Sequence, residues 1–263
     1  MTFKLIALDL DGTLLDDSHR IRTKTLEKIQ SLSRSGIRFV LVTGRMFCSA
    51  RSYSQLLGTG IHVISYNGAL IVDEGQSVFE RLIERETCER ILRLCDPELL
   101  LIFISDRMYV KSYNQLVRSY VERAGVAYNH FLGLNCHRNL PLKFIYAPLE
   151  DLEIEESRIR KSLGASAYVT NSLGNFIEIM HPEVSKAEAL SWYSRRAGIS
   201  MDEVLAFGDG MNDLEMLSQA GCGVAMGNAP DALKKAACEV TTSNQQEGVY
   251  DFLEKTFRAA ACR

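Results

Sequence analysis

An apolar run that ends in two carboxylates lies at residues 3–13 and most constrains what this chain folds into. Residues 5–8 (LIAL) have the unbroken apolar pattern of a strand buried on both faces, as in a parallel sheet. Asp9 and Asp11 follow where that strand stops. Side chains two residues apart along a strand point the same way, so both carboxylates reach one point beyond its carboxyl end. Gly12 then lets the backbone turn away.

The spacing of Asp9 and Asp11 predicts a bound cation, a shared proton, or both in turn. Two like charges held so close repel each other unless a cation lies between them or one of them is protonated. A hard cation such as Mg²⁺ prefers oxygen ligands and keeps some of its waters. An Asp-Gly turn after a strand is also a common surface feature, so the functional interpretation depends on the rest of the chain.

The composition is typical of a soluble globular protein with one large domain or two moderate ones. The chain has 263 residues, and 46% of them are hydrophobic. Its formal net charge of -3 gives no electrostatic attraction to nucleic acid or to an anionic membrane, so we expect neither as a partner. No apolar run approaches the ~20 residues that span a bilayer.

The cysteines and the first residues predict a cytoplasmic protein. Seven cysteines are scattered without any Cys-x-x-Cys pair, which is typical of reduced thiols. The start, MTFKLI, lacks a signal peptide's order of basic segment, apolar segment and cleavage site. Cys48 lies close to a candidate site residue, but we predict a small buried side chain there and no redox role.

Buried strands alternate with helices toward both ends of the chain. Apolar runs at residues 37–42, 62–65 and 204–207 have the same buried-strand pattern as the first one. Helices are predicted between strands, for example at residues 23–35, where Gly36 supplies the stop. This alternation predicts an α/β fold with a parallel, doubly wound sheet.

The middle of the chain has a different rhythm, in which paired strands and intervening helices indicate a separate α+β module. The simplest organisation is a Rossmann-like α/β core of residues 1–81 plus 182–263, with residues 82–181 inserted as the α+β module. We expect this module to close over the core as a lid, with hinges near residues 81–82 and 181–182.

Polar groups stand at matching positions of the predicted core, each at the end of a buried strand or at the start of a helix. In open α/β sheets, ligands bind outside the carboxyl ends of the strands, so residues from both chain ends meet there. Carboxylates, a hydroxyl beside a glycine and a lysine are what phosphoryl transfer needs, because metal and lysine neutralise charge while small donors hold the phosphate oxygens. The set comprises Asp9, Asp11, Thr43, Gly44, Lys186 and Asp209.

Four runs resemble the four motifs of the haloacid dehalogenase superfamily. They are DLDGT at residues 9–13, TGR at 43–45, VSK at 184–186 and GDGMND at 208–213. The insertion between the second and third runs resembles the larger cap of the Cof-like branch, a group of small-molecule (sugar) phosphatases. YNGA at residues 66–69 and VAMGNA at 224–229 also resemble that branch. The likeness covers nearly the whole chain and is weakest in the cap.

The resemblance implies a role for each matching residue. Asp9 would attack phosphorus and form an aspartyl-phosphate, and Asp11 would protonate the leaving alcohol and then activate water. The Asp9 carboxylate, the Asp11 carbonyl and Asp209 would bind Mg²⁺, and Asp213 would support the metal or its waters without being a direct ligand. Arg45 and Asn67 are candidates for substrate contact. The phosphate would be held by the Leu10 N–H, Thr43, Gly44, Lys186 and Asn212.

The resemblance therefore implies a Mg²⁺-dependent phosphatase that hydrolyses a small phosphorylated metabolite, with a sugar phosphate as the expected substrate. A phosphomutase would use the same aspartyl chemistry and remains an alternative. A phosphoacceptor switch or regulator would also combine acids, a threonine and a lysine on a doubly wound sheet, but it has no use for Asp11 or for a substrate lid. We expect a monomer or a weak homo-oligomer.

Overall fold

The computed structural model of the protein describes residues 3–58, 60–73, 75–131, 139–149, 151–172 and 176–258. Within these residues the strands are β1 (Leu5–Leu8), β2 (Arg38–Val42), β3 (His62–Ser65), β4 (Leu70–Asp73), β5 (Gln76–Glu80), β6 (Leu100–Ile104), β7 (Arg107–Val110), β8 (Tyr128–His130), β9 (Lys143–Tyr146), β10 (Tyr168–Ser172), β11 (Phe176–Met180), β12 (Val204–Gly208), β13 (Cys222–Ala225) and β14 (Glu239–Val240). The α-helices are α1 (Thr23–Arg34), α2 (Phe47–Leu57), α3 (Arg85–Leu94), α4 (Gln115–Ala124), α5 (Leu152–Leu163), α6 (Lys186–Arg196), α7 (Leu214–Gln219), α8 (Asp231–Ala236) and α9 (Gly248–Arg258).

The larger of two sheets is built from both ends of the chain. Its strands lie in the order β14-β13-β12-β1-β2-β3-β4-β5. Pairing is parallel from β14 to β3, and the hairpin β4–β5 adds an antiparallel edge. Leu8 at the end of β1 is in register with Leu41 of β2 and Phe207 of β12. The carboxyl ends of these three strands therefore lie side by side.

Helices cover both faces of this sheet. Ile6 and Leu8 of β1 pack into the apolar cluster under α1, α2 and α9, whereas Leu5 and Ala7 pack into the cluster under α6, α7 and α8. Alternate residues of one strand thus enter two cores, which explains why residues 5–8 are all apolar. The predicted parallel, doubly wound α/β sheet is confirmed.

The inserted segment forms the second sheet, in the order β10-β11-β9-β6-β7-β8. All its neighbours are antiparallel except β7 and β8. One face packs against α3 and α5. The other face, together with α4, packs in an apolar cluster that includes Met46, Tyr66 and Leu70 from the α/β part of the chain. The predicted α+β insertion is confirmed as an element of the fold, and an apolar seam connects it to the α/β part.

Local chemistry explains where the sequence-based bounds were wrong. The sequence of residues 113–124 predicts a helix from Tyr113, but the helix begins at Gln115, because the Asn114 side chain accepts a hydrogen bond from the Val117 N–H and so caps it. Strands β8 and β14 are short and polar and carry no apolar pattern. Cys48 is exposed, contrary to its predicted burial, because it lies outside the buried stripe of α2.

None of the helices in the described part of the chain is both long and apolar enough to cross a membrane.

Candidate active site

Lys186 links two carboxylates that come from distant parts of the sequence. Its Nζ lies 2.7 Å from Asp9 Oδ1 and 2.6 Å from Asp213 Oδ1. Asp9 follows β1, and Lys186 opens α6, whose first turn is capped by the Ser185 side chain. The three side chains are almost completely buried. Removing one member of such a buried ion cluster costs about 3–5 kcal/mol, because the remaining charge loses its partner.

The loop after β12 completes the acidic cluster. Asp209 Oδ1 accepts a hydrogen bond of 2.8 Å from the Thr13 hydroxyl. Asp213 Oδ2 accepts hydrogen bonds from the N–H groups of Asp209 (3.0 Å) and Gly210 (2.9 Å). Asp213 therefore shapes the loop that carries Asp209, while its other oxygen contacts Lys186.

Burial dominates the electrostatics of this cluster. It raises the pKa of Asp9, an effect that Lys186 opposes and that the carboxylates of Asp213 and Asp209 reinforce. It also raises the pKa of Asp209 to about 6, against the hydrogen bond from Thr13 that lowers it. Lys186 has a raised pKa because the attraction of Asp213 and Asp9 outweighs the opposing effect of its own burial. A cation is thus favourable beside these carboxylates.

The residues present fit a hard metal ion. Asp9, Asp209 and Asp213 each offer a carboxylate oxygen, and these oxygens lie within 4.8 Å of one another. Oxygen-only donor sets suit Mg²⁺. Asp213 accepts three hydrogen bonds, one from Lys186 and two from main-chain N–H groups. Asp9 and Asp209 accept fewer, so they are the better-suited ligands.

The loop after β2 presents Thr43 and Gly44 beside the acidic cluster. The Thr43 hydroxyl oxygen accepts a hydrogen bond of 3.1 Å from the Arg45 N–H, so the hydroxyl proton remains available to a ligand. Gly44 lies close to Asn67, since a Cβ on Gly44 would sit 3.0 Å from Asn67 Oδ1. Asn67 in turn accepts a hydrogen bond of 3.1 Å from Asn212 Nδ2. The loops that follow β2, β3 and β12 are therefore in mutual contact.

Asp11 is bound to Arg45 and stands apart from the acidic cluster. Arg45 Nε donates to Asp11 Oδ2 at 2.6 Å, and Arg45 Nη2 donates to Oδ1. The guanidinium also lies over the Tyr53 ring, 5.3 Å from its centroid. His19 Nδ1 is 3.6 Å from Asp11 Oδ1. Leu10, between the two aspartates, is buried in the apolar cluster beneath.

A cavity of about 770 Å³ brings nearly all of the sequence-predicted side chains together. Leu10 is the predicted site residue that does not line it. The inserted segment supplies the opposite wall, with cationic, acidic and hydroxyl groups that include Tyr120, Arg123, Lys143, Tyr168, Thr170, Asn171 and Glu178. The core residues on its lining include Asp9, Asp11, Thr43, Gly44, Arg45, Asn67, Lys186, Asp209, Asn212 and Asp213.

Two residues at the site were not among the site residues predicted from the sequence. Asn228 Nδ2 donates to the Gly12 carbonyl at 2.8 Å and lies 3.3 Å from Asp209 Oδ2. Its position after β13, at the carboxyl end of a strand, is a signal that could have identified it. Lys143 is buried on β9, 3.3 Å from Glu178 Oε2 and 3.4 Å from the Gly44 carbonyl. No local pattern distinguishes it from any other strand lysine.

Comparisons with known proteins agree with this geometry. The family model of haloacid dehalogenase-like hydrolases matches residues 6–253. The 5-amino-6-(5-phospho-D-ribitylamino)uracil phosphatase YitU of Bacillus subtilis is 30% identical over 265 residues, covering 96% of this chain and 97% of the relative. The enzyme of the same name from Escherichia coli, YbjI, is 28% identical over 267 residues, covering 99% and 98%.

A solved structure gives the same result for the fold. The haloacid dehalogenase-like hydrolase from Bacteroides thetaiotaomicron superposes with a TM-score of 0.86 at 28% identity, covering 97% of this chain and all of the other. With the family model spanning almost the entire sequence, the chain belongs to the haloacid dehalogenase-like hydrolase family and is an enzyme of its phosphatase type.

Proposed function

We propose that this protein is a Mg²⁺-dependent phosphatase that hydrolyses a small phosphorylated metabolite through an aspartyl-phosphate on Asp9. One observation carries the proposal. The Asp9 carboxylate lies 2.7 Å from a buried lysine, within a cluster of acids, on the wall of a cavity large enough for a metabolite. A nucleophile, a fixed positive charge and a metal site in one place are the parts of phosphoryl transfer.

The phosphate would be held by groups around Asp9. Lys186 neutralises charge on the phosphate oxygens, the Thr43 hydroxyl donates to one of them, and the Asn212 amide donates to another. The N–H groups of Leu10 and Gly44 are the main-chain donors in this assignment. The side chains of Lys186, Thr43 and Asn212 need little reorganisation during the reaction, because hydrogen bonds within the protein already fix them.

Asp9, Asp209 and the Asp11 carbonyl would hold the Mg²⁺, with Asp213 fixing the loop that carries Asp209. The ion would offset the charge of the carboxylates and of the incoming phosphate, which repel each other in its absence.

Asp11 would act as acid and then as base. In the first step it gives a proton to the leaving alcohol, and in the second it takes one from the water that attacks the aspartyl-phosphate. Its carboxylate is bound to Arg45 in the structure, so the acid role requires Asp11 to exchange that partner for the substrate oxygen. Arg45 then becomes available to the phosphate or to a polar group of the substrate.

Residues 82–181 are proposed as the cap that selects the substrate, with residues 1–81 plus 182–263 as the catalytic core. The wall that the inserted segment adds to the cavity supports this division. An ion pair between Arg81 and Glu183, with Nε 3.6 Å from Oε2, joins the two proposed hinge segments. A lid that opens and shuts would shield the aspartyl-phosphate and later admit water.

A phosphorylated sugar or sugar alcohol is the proposed substrate class. Two relatives are named for a substrate that carries a phosphoribityl chain. On the cap wall, Arg123 and Lys143 offer donors, whereas Glu178 and Asn171 offer acceptors. Several hydroxyl groups on a short chain match such a wall better than an apolar leaving group does.

A screen of phosphorylated metabolites with Mg²⁺, scored by kcat/KM and by release of free phosphate, tests the proposal. We expect at least one sugar or sugar-alcohol phosphate to exceed p-nitrophenyl phosphate. Formation of an isomeric phosphate without free phosphate would point to a mutase, and a long-lived phosphoprotein with negligible turnover would point to a switch. Either result would overturn the phosphatase assignment.

A further inference from the structure

The two-residue turn between β6 and β7 has an unexpected composition. Ser105 and Asp106 both lie in the left-handed region, with φ of 48° and 59°. Positive φ at both central positions is typical of a type I′ hairpin turn, which favours Asn-Gly. Side chains other than those of Gly, Asn and Asp are disfavoured there, and Gly at the second position is the preferred choice. Aspartate is tolerated at position 106, and its contacts show what the side chain does there.

Asp106 reaches out of the inserted segment and binds two groups of the core. Its Oδ2 accepts a hydrogen bond of 2.7 Å from the Cys48 N–H. Its Oδ1 accepts a hydrogen bond of 3.0 Å from the Tyr66 hydroxyl. Both carboxylate oxygens are thus bound to the core.

The contact with Cys48 supplies a helix cap that the core lacks. Met46 occupies the N-cap position of α2, and it makes no side-chain hydrogen bond to the helix. Cys48 is the second residue of α2, which is one of the positions whose N–H an N-cap side chain normally binds. A carboxylate is also favoured at this end by the helix dipole. Asp106 therefore caps α2 from another part of the chain.

The two partners of Asp106 border the loop that carries Thr43 and Gly44. Helix α2 begins two residues after Arg45. The Tyr66 N–H donates to the Arg45 carbonyl at 3.0 Å, and the Asn67 N–H donates to the Thr43 carbonyl at 2.9 Å. The loop is consequently tied to the start of α2 by the chain and to residues 66–67 by hydrogen bonds.

Other contacts of the inserted segment converge on the same part of the core. The Ser49 hydroxyl donates to the Ala124 carbonyl at the end of α4, at 3.0 Å. Lys143 Nζ lies 3.4 Å from the Gly44 carbonyl. Together with the contact of Asp106, these place three polar contacts on residues 44–49, which border the cavity.

We propose that Asp106 is a positioning residue that makes the geometry of residues 43–45 depend on the docking of the inserted segment. With Asp106 in place, α2 is capped and Tyr66 is fixed, so Thr43 and Gly44 are held for the phosphate. When the segment moves away, the first turn of α2 loses its cap and the loop loosens. The proposal rests on the phosphate-binding role given above to Thr43 and Gly44.

The test compares Asp106→Gly with Ser105→Gly. Both substitutions suit a type I′ turn, so neither harms the hairpin, but only the first removes the carboxylate. We expect Asp106→Gly to lower kcat/KM about tenfold, the scale of a lost helix cap, and to lower the melting temperature by only about 2–4 °C relative to the control. Hydrogen exchange at the amides of residues 47–49 should be faster in Asp106→Gly alone. Asp106→Asn keeps an acceptor for the Cys48 N–H and should restore part of both values.

Unchanged kcat/KM in Asp106→Gly, with or without faster exchange, would overturn the proposal. So would exchange raised throughout the protein together with a melting temperature far below that of the control, because both together indicate a general structural role. The exchange measurement needs no substrate. A lack of phosphatase activity in the unaltered protein would therefore count against the proposed function, and unaltered exchange at residues 47–49 would count against the role of Asp106.

Discussion

Arg45 binds the carboxylate of Asp11 through two hydrogen bonds, one of them 2.6 Å long from Nε to Oδ2. The pair lies on the wall of the cavity, beside the acidic cluster and separate from it. Asp11 has a half-exposed side chain paired with Arg45, whereas Asp9 is buried and paired with the buried Lys186. The different surroundings of the two aspartates suit different roles, a movable proton carrier and a fixed nucleophile.

Asp11→Asn should discriminate between leaving groups. The amide cannot donate and regain the proton of a carboxylic acid, so hydrolysis of an alkyl phosphate should fall about 10²–10⁴-fold. p-Nitrophenyl phosphate should suffer less, because its leaving group needs no protonation. The measurement is kcat/KM for both esters in both proteins. Equal losses on the two esters would remove Asp11 from the acid role.

Chelation should abolish turnover, and Mg²⁺ should restore it. Ca²⁺ should inhibit, because its looser and higher coordination disturbs in-line attack. Asp209→Ala should weaken the binding of Mg²⁺ as measured by calorimetry without substrate, since it removes one of the carboxylates of the cluster. Full activity in chelator would contradict a metal-dependent reaction. Unchanged Mg²⁺ affinity in Asp209→Ala would show that the metal binds elsewhere.

The metal-free protein should be more stable at pH 5 than at pH 7. Asp209 has a pKa raised to about 6 from 3.8, so between these values the folded state keeps a proton that the unfolded state releases. Stability therefore falls as the pH rises, by about 3 kcal/mol from this group over the whole window and by roughly 1 kcal/mol between pH 5 and pH 7. Melting curves in chelator at both pH values measure the effect, and Asp209→Asn should reduce it. A metal-free protein that gains stability from pH 5 to pH 7 would contradict the assignment.

Lys143→Met should alter selectivity more than chemistry. The substitution keeps an unbranched chain but removes the charge that lies 3.3 Å from Glu178 on the cap wall. We expect KM for a sugar phosphate to rise roughly tenfold, in line with the loss of one charged hydrogen bond. The kcat/KM for p-nitrophenyl phosphate should fall less, because that ester is affected only through the lost contact with the Gly44 carbonyl. Lys111→Met controls for the loss of a paired lysine charge away from the site, because that lysine is half exposed and outside the cavity lining. An equal loss of kcat/KM on both substrates would contradict a role of Lys143 in substrate selectivity.

The sequence predicts that Asp9, Asp209 and Lys186 lie close together, because local pattern and topology determine their positions. Residues 5–8 are apolar throughout since the two faces of β1 enter two cores. Asp9 and Asp209 follow neighbouring parallel strands, so the fold must bring them together. The position of Lys186 at a helix start completes the set.

The contacts between the two parts of the chain lie beyond the reach of such reasoning. Nothing in the local sequence indicates the contacts of Asp106 and Lys143 with the core. These contacts form only because the second sheet packs against α2 and Tyr66. The pairing of Asp11 with Arg45 is likewise a matter of side-chain geometry across two loops. The exposure of Cys48 follows from which stripe of α2 packs against the core, namely Ala50, Ser54 and Leu57.

The central claim is that the Asp9 carboxylate becomes phosphorylated during turnover, and trapping that acyl phosphate tests it most directly. The enzyme is mixed with Mg²⁺ and its best substrate, quenched in acid and treated with hydroxylamine, which converts an aspartyl-phosphate to a hydroxamate and releases phosphate. Peptide mass spectrometry should find the hydroxamate at residue 9, and Asp9→Asn should yield none while losing ~10⁴-fold or more of the activity. A hydroxamate at another aspartate, or substantial turnover by Asp9→Asn, would contradict the account.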